Sequence, residues 1–282
     1  MPRLTRIDAP LFDLKKTLES GQAFQWVPQG GGYVGVIGSK PVYVEQEGAS
    51  LRVTRGCEDL AVHYFALDHP LEEIYATFPD DPAMRESVEW CRGVRILRQP
   101  EWECLGTFIT SSMKQVKHIQ QMSHALRRRF GEPVGEGFHA YPAPERLAAA
   151  TEEELRACGL GFRARGLGET ARAVAEGAVD LKAIHALPDE EALAALCRLP
   201  GVGPKIANCV LLFAYERVRA FPIDVWIERV LRHHYFRRKR KITPRRLQEF
   251  AAGYFGPYGG YAQQYLFHHA RNLPRSVWKT GR

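Results

Sequence analysis

The chain has 282 residues, 45% of them hydrophobic, with 39 Lys and Arg against 32 Asp and Glu for a formal charge of +7. That is an ordinary globular composition with room for two or three packed units, so size excludes no enzyme class. No apolar stretch approaches the ~18 residues of a membrane span, and the opening MPRLTRIDAP lacks a signal-like apolar core; the expectation is an intracellular protein without a membrane part, whose positive balance suits a polyanion.

From Leu11 to about Val53, short alternating runs such as "YVGVIG" and "PVYVEQEG" are broken by Gly30, Gly31, Gly32, Gly38 and Pro41, the texture of an antiparallel sheet. From "RQPEWECLGTFITSSMKQVKHIQQMSHALRRRF" onward the spacing turns helical, with Leu105, Phe108 and Ile109 on one face and Ile119, Met122 and Leu126 on another. The reading is α+β: an antiparallel-sheet domain over 1–98, then an all-helical domain over 99–282. The later chain reads as a helix from Asp189, a glycine turn, a second helix to about Tyr215, and a further helix entered through Pro222 and capped by Asp224. A cationic loop follows at Arg237 to Arg246, and "YGGYAQQYLFHHARN" closes as a helix. Cys57, Cys91, Cys104, Cys158, Cys197 and Cys209 are scattered without a CxxC pair, which points to reduced thiols and away from zinc or iron–sulfur sites.

The stretch "LCRLPGVGPKIANCVLLF", Leu196 to Phe213, interrupts a good core helix with two glycines and two prolines. Gly201 and Gly203 can take positive φ and let another backbone approach, and the following helix start can offer amides to a phosphate. The alternative is a packing turn between two helices. Lys205 begins the second helix, where the positive end of the macrodipole opposes an ammonium and favours a neutral, nucleophilic amine. Asp224, nineteen residues on, stands at another helix mouth. If the two helix starts converge, they offer a nucleophile and a partner carboxylate; otherwise Lys205 is a solvated or phosphate-touching side chain and Asp224 an N-cap.

"LPGVGPKIA" resembles the helix-hairpin-helix motif, at about 190–215, which implies a sequence-independent grip on the DNA backbone. The resemblance further implies a monovalent cation, K+ or Na+, held by the carbonyls of Cys197, Leu199 and Val202. With "FPIDVW" added, the pattern resembles the helix-hairpin-helix base-excision glycosylases, in which Lys205 would attack the sugar C1′ and Asp224 support the step. The absent cysteine cluster sets the chain apart from that superfamily's iron–sulfur branch. "LESGQAFQW", "RQPEWECLGTFITSS", "GLGFRAR", the hairpin and "GGYAQQYLF" together resemble the 8-oxoguanine DNA glycosylases, in the same order over nearly the whole chain. This implies a fold with two helical subdomains flanking an active-site cleft.

That resemblance assigns the Gly21 carbonyl to the N7–H of 8-oxoguanine, a donor where guanine has an acceptor. It places Phe267 and Cys209 on the two faces of the flipped base and Gln263 on its Watson–Crick edge. Helical spacing agrees, since Lys205 and Cys209, like Gln263 and Phe267, stand four residues apart; core packing is the alternative for Phe267 and Cys209. The sequence also departs from the family. Met113, Lys114 and Gln115 replace an asparagine run that fills the vacated stack, and His118 replaces an arginine. Phe162 replaces a tyrosine wedge, beside Arg163 as a candidate cytosine contact. Trp226 replaces a phosphate-binding histidine, and Ala270 a pocket carboxylate. Met113 can still act as an apolar plug.

The expected protein is thus a monomeric, bifunctional 8-oxoguanine DNA glycosylase and AP lyase acting on double-stranded DNA, with no required cofactor and relaxed opposite-base discrimination. Two rivals stand beside it, an alkylated-base glycosylase of the same superfamily and a noncatalytic module that uses the hairpin only to hold phosphate. The basic "RRKRK" adds nonspecific DNA affinity or is only a solvated loop.

Overall fold

The computed structural model describes residues 3–135, 137–236 and 242–279. Five strands, β1 (Leu4–Asp8), β2 (Val27–Gln29), β3 (Gly32–Ile37), β4 (Lys40–Glu47) and β5 (Ser50–Thr54), pair antiparallel in the order β1-β5-β4-β3-β2. Two-residue turns join β2 to β3, β3 to β4 and β4 to β5, so alternation fixes which face is buried. Val42, Val44, Leu51 and Val53 point inward and are fully buried, with Val44 opposite Val53. Against that face pack Trp26, Tyr64 and Phe65.

The sheet is less exclusive to this region than the sequence suggests. β1 precedes Leu11, and α1 (Leu14–Glu19), capped by Asp13, interrupts the strands. Three more helices, α2 (Glu58–Tyr64), α3 (Leu71–Ala76) and α4 (Pro82–Cys91), follow before residue 98. Leu71, Ile74, Met84 and Cys91 from α3 and α4 are buried in the helical core rather than against the sheet.

The helical part comprises α5 (Glu101–Ser111), α6 (Val116–Phe130), α7 (Pro144–Ala148), α8 (Glu152–Ala157), α9 (Arg163–Ala175), α10 (Asp189–Cys197), α11 (Pro204–Ala214), α12 (Val225–His234), α13 (Pro244–Tyr254) and α14 (Gly259–Asn272). A short hairpin of β6 (Pro133–Gly135) and β7 (Phe138–His139) breaks the helical run after α6. The cationic stretch is only partly what its composition suggests: residues 237–241 lie outside the described residues, and α13 begins at Pro244 behind a Thr243 cap. The spacing-based faces of α5 and α6 hold, since Leu105, Phe108, Ile109, Ile119, Met122 and Leu126 are all buried.

The loop after α1 is fastened into the helical part by buried polar contacts. Gln22 donates to the Arg95 carbonyl at 2.8 Å and accepts from the Leu97 amide at 2.8 Å, while Gln99 donates to the Gln22 carbonyl at 2.7 Å. From α14, Gln264 donates to the Ser20 carbonyl at 3.0 Å. Buried amides of this kind lose far more when a partner is removed than they contribute as a pair, so they hold register. Their consequence is that Gly21, near the start of the chain, sits against a helix near its end.

Candidate active site

The hairpin is built from local chemistry. α10 ends at Cys197, the Leu199 and Val202 amides close tight turns onto the Leu196 and Leu199 carbonyls, and Gly201 adopts φ +78°. A Cβ added to Gly166 would stand 3.2 Å from the Gly201 Cα, and Thr170 donates to the Pro200 carbonyl at 2.8 Å. The turn is thus docked on α9 while Gly201 and Gly203 stay exposed. Leu199 and Val202 are buried and Cys197 half-buried. α11 then starts with Gly203 as N-cap and Pro204 in its first turn, where a missing N–H costs nothing.

Lys205 and Asp224 converge. The Lys205 ammonium nitrogen lies 5.5 Å from the Phe108 ring centre. Asp224 caps α12, its Oδ1 accepting from the Trp226 amide at 3.0 Å and the Ile227 amide at 2.8 Å. The N-cap role is therefore real and leaves the rest of the carboxylate for chemistry. Burial pushes the Asp224 carboxyl above its ordinary range, while the two amides, Lys205 and Arg271 pull it back. Burial likewise raises the Cys209 thiol, against the pull of Lys205, so the thiol stays protonated at neutral pH and does not compete as a nucleophile.

One cavity, about 330 Å3 including its open mouth, is lined by Gly21, Lys205, Cys209, Asp224, Gln263 and Phe267, together with Phe108, Phe213, Pro222 and Gln264. All six pocket residues expected from the sequence meet here. Gln263 is 4% exposed, and its Oε1 has no partner among the described residues; such an orphan acceptor costs about 1–3 kcal/mol unless a ligand donates to it. Phe108 and Phe213 stack at 5.5 Å and 12° to form the wall behind the lysine. The sequence held a signal for Phe213, which continues the stripe Lys205, Cys209, Phe213 at four-residue spacing on α11. Phe108 carries no such signal.

Gly21 has φ +84°, and an added Cβ would stand 2.7 Å from Arg271 Nη1 and 3.3 Å from the Phe267 ring. Gly21→Ala is therefore expected to lose about 1–2 kcal/mol to backbone strain and to displace the carbonyl at the pocket. A melting curve would read this as a lowered Tm.

The residues expected at the opposite strand lie apart from this cavity. Met113, 89% exposed at φ +55°, tops the loop between α5 and α6, with Lys114 and His118 exposed beside it. Phe162 is 62% exposed. Arg163 is buried: its Nε donates to the Ser112 carbonyl at 2.7 Å, Nη2 to the same oxygen, and Nη1 to the Leu160 carbonyl at 3.1 Å. Three of its five N–H groups are thus committed to backbone, and its guanidinium lies 4.2 Å from the Phe162 ring centre. A cleft lined by Ser112, Phe162, Arg163 and Gly201 runs between this loop and the hairpin. Trp226 stacks on Arg229 at 4.8 Å and meets Trp278 edge-on at 6.2 Å.

A hairpin of this build, with its lysine facing a helix-capping aspartate, is that of the HhH-GPD superfamily of base excision DNA repair proteins, whose family model matches residues 107–254. Residues 5–105 match the 8-oxoguanine DNA glycosylase N-terminal domain, and the chain belongs to that family of glycosylases. It is 32% identical to a probable N-glycosylase/DNA lyase of Methanothermobacter thermautotrophicus, over 94% of this chain and 96% of the relative. Among solved structures it resembles MBOgg1 in complex with a low-affinity DNA ligand, at TM-score 0.91 and 34% identity over 96% of both chains. The Clostridium acetobutylicum 8-oxoguanine glycosylase/lyase, bound to double-stranded DNA with cytosine opposite 8-oxoG, is similar at TM-score 0.88 and 30% identity, again over 96% of both chains.

Proposed function

We propose that this chain excises 8-oxoguanine from duplex DNA and then cuts the strand, with Lys205 as nucleophile and Asp224 as its supporting carboxylate. The observation that carries this is the meeting of Lys205, Asp224 and Gln263, from three helices, with the Gly21 loop and Phe267 around one cavity. A base must leave the duplex to reach such a site. Phe267 and Cys209 then clasp its faces, the orphan Gln263 oxygen accepts from the Watson–Crick edge, and the Gly21 carbonyl accepts from N7–H. Guanine presents a lone pair to that carbonyl instead, and the two acceptors repel.

In the chemical step Lys205 Nζ forms a bond to C1′ as the C1′–N9 bond breaks, and the electron pair leaves with the base, which takes up the proton that the attacking nitrogen sheds. Asp224, in its ionised form, stabilises the positive charge that develops on the sugar. Ring opening gives the Schiff base; loss of a C2′ proton expels the 3′ phosphate and nicks the strand. None of these steps calls for a metal or redox cofactor. At the hairpin the donor set of three neutral backbone carbonyls, from Cys197, Leu199 and Val202, suits K+ or Na+ rather than a divalent ion. These residues would hold the cation, whose contribution is charge for a nearby phosphate. The protein works in whichever compartment holds the DNA.

At the opposite strand, Met113 is the plug for the vacated stack and Phe162 the wedge, with Lys114, His118 and Trp226 toward the backbone. Arg163 supports the plug loop and the wedge through Ser112 and the Phe162 ring, which leaves little for reading cytosine. Excision of 8-oxoguanine opposite C, T, G and A is accordingly expected to fall within about tenfold, roughly 1.4 kcal/mol. The panel is run as single-turnover assays, with an alkylated-purine duplex as a fifth substrate left untouched. Strict preference for cytosine would overturn the opposite-strand assignment, and preferential alkylpurine release the substrate assignment.

A further inference from the structure

α14 sets Gln263 and Phe267 on one face, and one more turn brings Arg271. Its guanidinium carbon lies 5.3 Å from the Phe267 ring centre. Nη2 donates to the carbonyl of Glu19, the last residue of α1, at 2.7 Å. Nη1 is buried without a partner among the described residues, and occupies the space that only a glycine at 21 leaves open, 2.7 Å from where a Cβ would be. Burial opposes the charge of this guanidinium, and the carboxylates of Asp224 and Glu19 favour it.

An arginine is a poor filler for such a place. A methionine would occupy similar volume with no buried N–H to leave unsatisfied. What an arginine supplies instead is a rigid planar cation that can lie over an aromatic face, while a second edge grips a carbonyl. The two groups it joins here are 248 positions apart in the chain, the Glu19 carbonyl, two residues before Gly21, and the Phe267 ring. It acts beside the Gln264 bond to the Ser20 carbonyl, which ties the backbone of the same loop to the same helix but leaves the Phe267 ring free to swing.

We propose that Arg271 is a positioning residue of the lesion pocket, clamping the Phe267 ring to the Gly21 loop so that stacking face and N7–H acceptor keep one spacing. The proposal rests on the reading that these two groups clasp the base. Discrimination of 8-oxoguanine from guanine hangs on one hydrogen bond whose strength falls steeply with misalignment, so a loosened wall loses selectivity before it loses chemistry. A preformed abasic site has no base to clasp and bypasses the wall. The residue before it, Ala270, stands where the family resemblance expects a carboxylate, so the clamp acts on a pocket that lacks that group.

The test compares wild type, Arg271→Met and Arg271→Lys in three assays: excision of 8-oxoguanine opposite cytosine, excision of guanine from the matched duplex, and nicking of a preformed abasic site. For Arg271→Met the expected result is an excision rate down about tenfold, a lower ratio of 8-oxoguanine to guanine excision, and abasic nicking reduced far less. Arg271→Lys, which keeps the cation but not the fork, recovers part of the loss. Equal losses in excision and abasic nicking, tracking a lowered Tm in both variants, would make Arg271 a packing residue and overturn the proposal, as would unchanged selectivity in Arg271→Met. A wild-type protein that nicked abasic DNA yet ignored 8-oxoguanine would instead defeat the substrate reading beneath it.

Discussion

Lys205→Gln is expected to bind 8-oxoguanine duplex within about threefold of wild type while its single-turnover excision rate falls by the order of 10^3-fold or more, as removal of a nucleophile does. Glutamine is close to lysine in length and fits beside Phe108 and Cys209, so the fold and the cavity persist. What disappears is the amine proposed to form the bond to C1′. The rival reading, in which Lys205 only anchors phosphate, predicts the opposite split. Loss of one phosphate contact would weaken binding across all sequences and flatten the salt dependence by about one unit of slope. Titrations at several salt concentrations beside rate measurements separate the two.

Asp224→Asn is expected to reduce excision by about 10^2–10^3-fold, the size of an electrostatic group that acts on developing charge in a half-buried site. Stability should change little, because an asparagine caps a helix about as well as an aspartate and keeps the bonds to the Trp226 and Ile227 amides. Asp224→Ala loses both functions and should lower stability by about 1 kcal/mol besides. The pH dependence carries a sign. Burial raises the Asp224 carboxyl above its ordinary range, and the proposed working form is the anion. Activity is therefore present above the raised pKa and lost as the pH falls through it, at a higher pH than an exposed aspartate would give. A pH–rate profile of the wild type should show this acid limb, and the Asp224→Asn profile should lack it.

What the sequence disclosed is what local chemistry controls. The hairpin is legible because prolines, glycines and caps act within a few residues, and Asp224 could be read as a cap for the same reason. Gln263 with Phe267, and Lys205 with Cys209, share faces by helical spacing, which needs no knowledge of the rest of the chain. α2 and α3 were not legible: they are six or seven residues long, and neither has a side-chain cap to mark its start. The β6–β7 hairpin was likewise hidden, with strands of only three and two residues. Long-range consequences lay further out of reach. Arg163 reads as a free cation next to an exposed wedge, yet the Ser112 carbonyl claims it from 51 positions away. Arg271 reads as a last-turn basic residue at a helix C-terminus, and its meaning depends on a glycine and a carbonyl from the first twenty-one residues.

The central claim is that Lys205 supplies the nitrogen that bonds to C1′ in the covalent step. Borohydride added during reaction with duplex DNA containing 8-oxoguanine opposite cytosine should trap a protein–DNA adduct, and peptide mapping should place it on the Lys205 side chain. An adduct on another residue, or free base released from an intact strand with no adduct at all, would contradict the account.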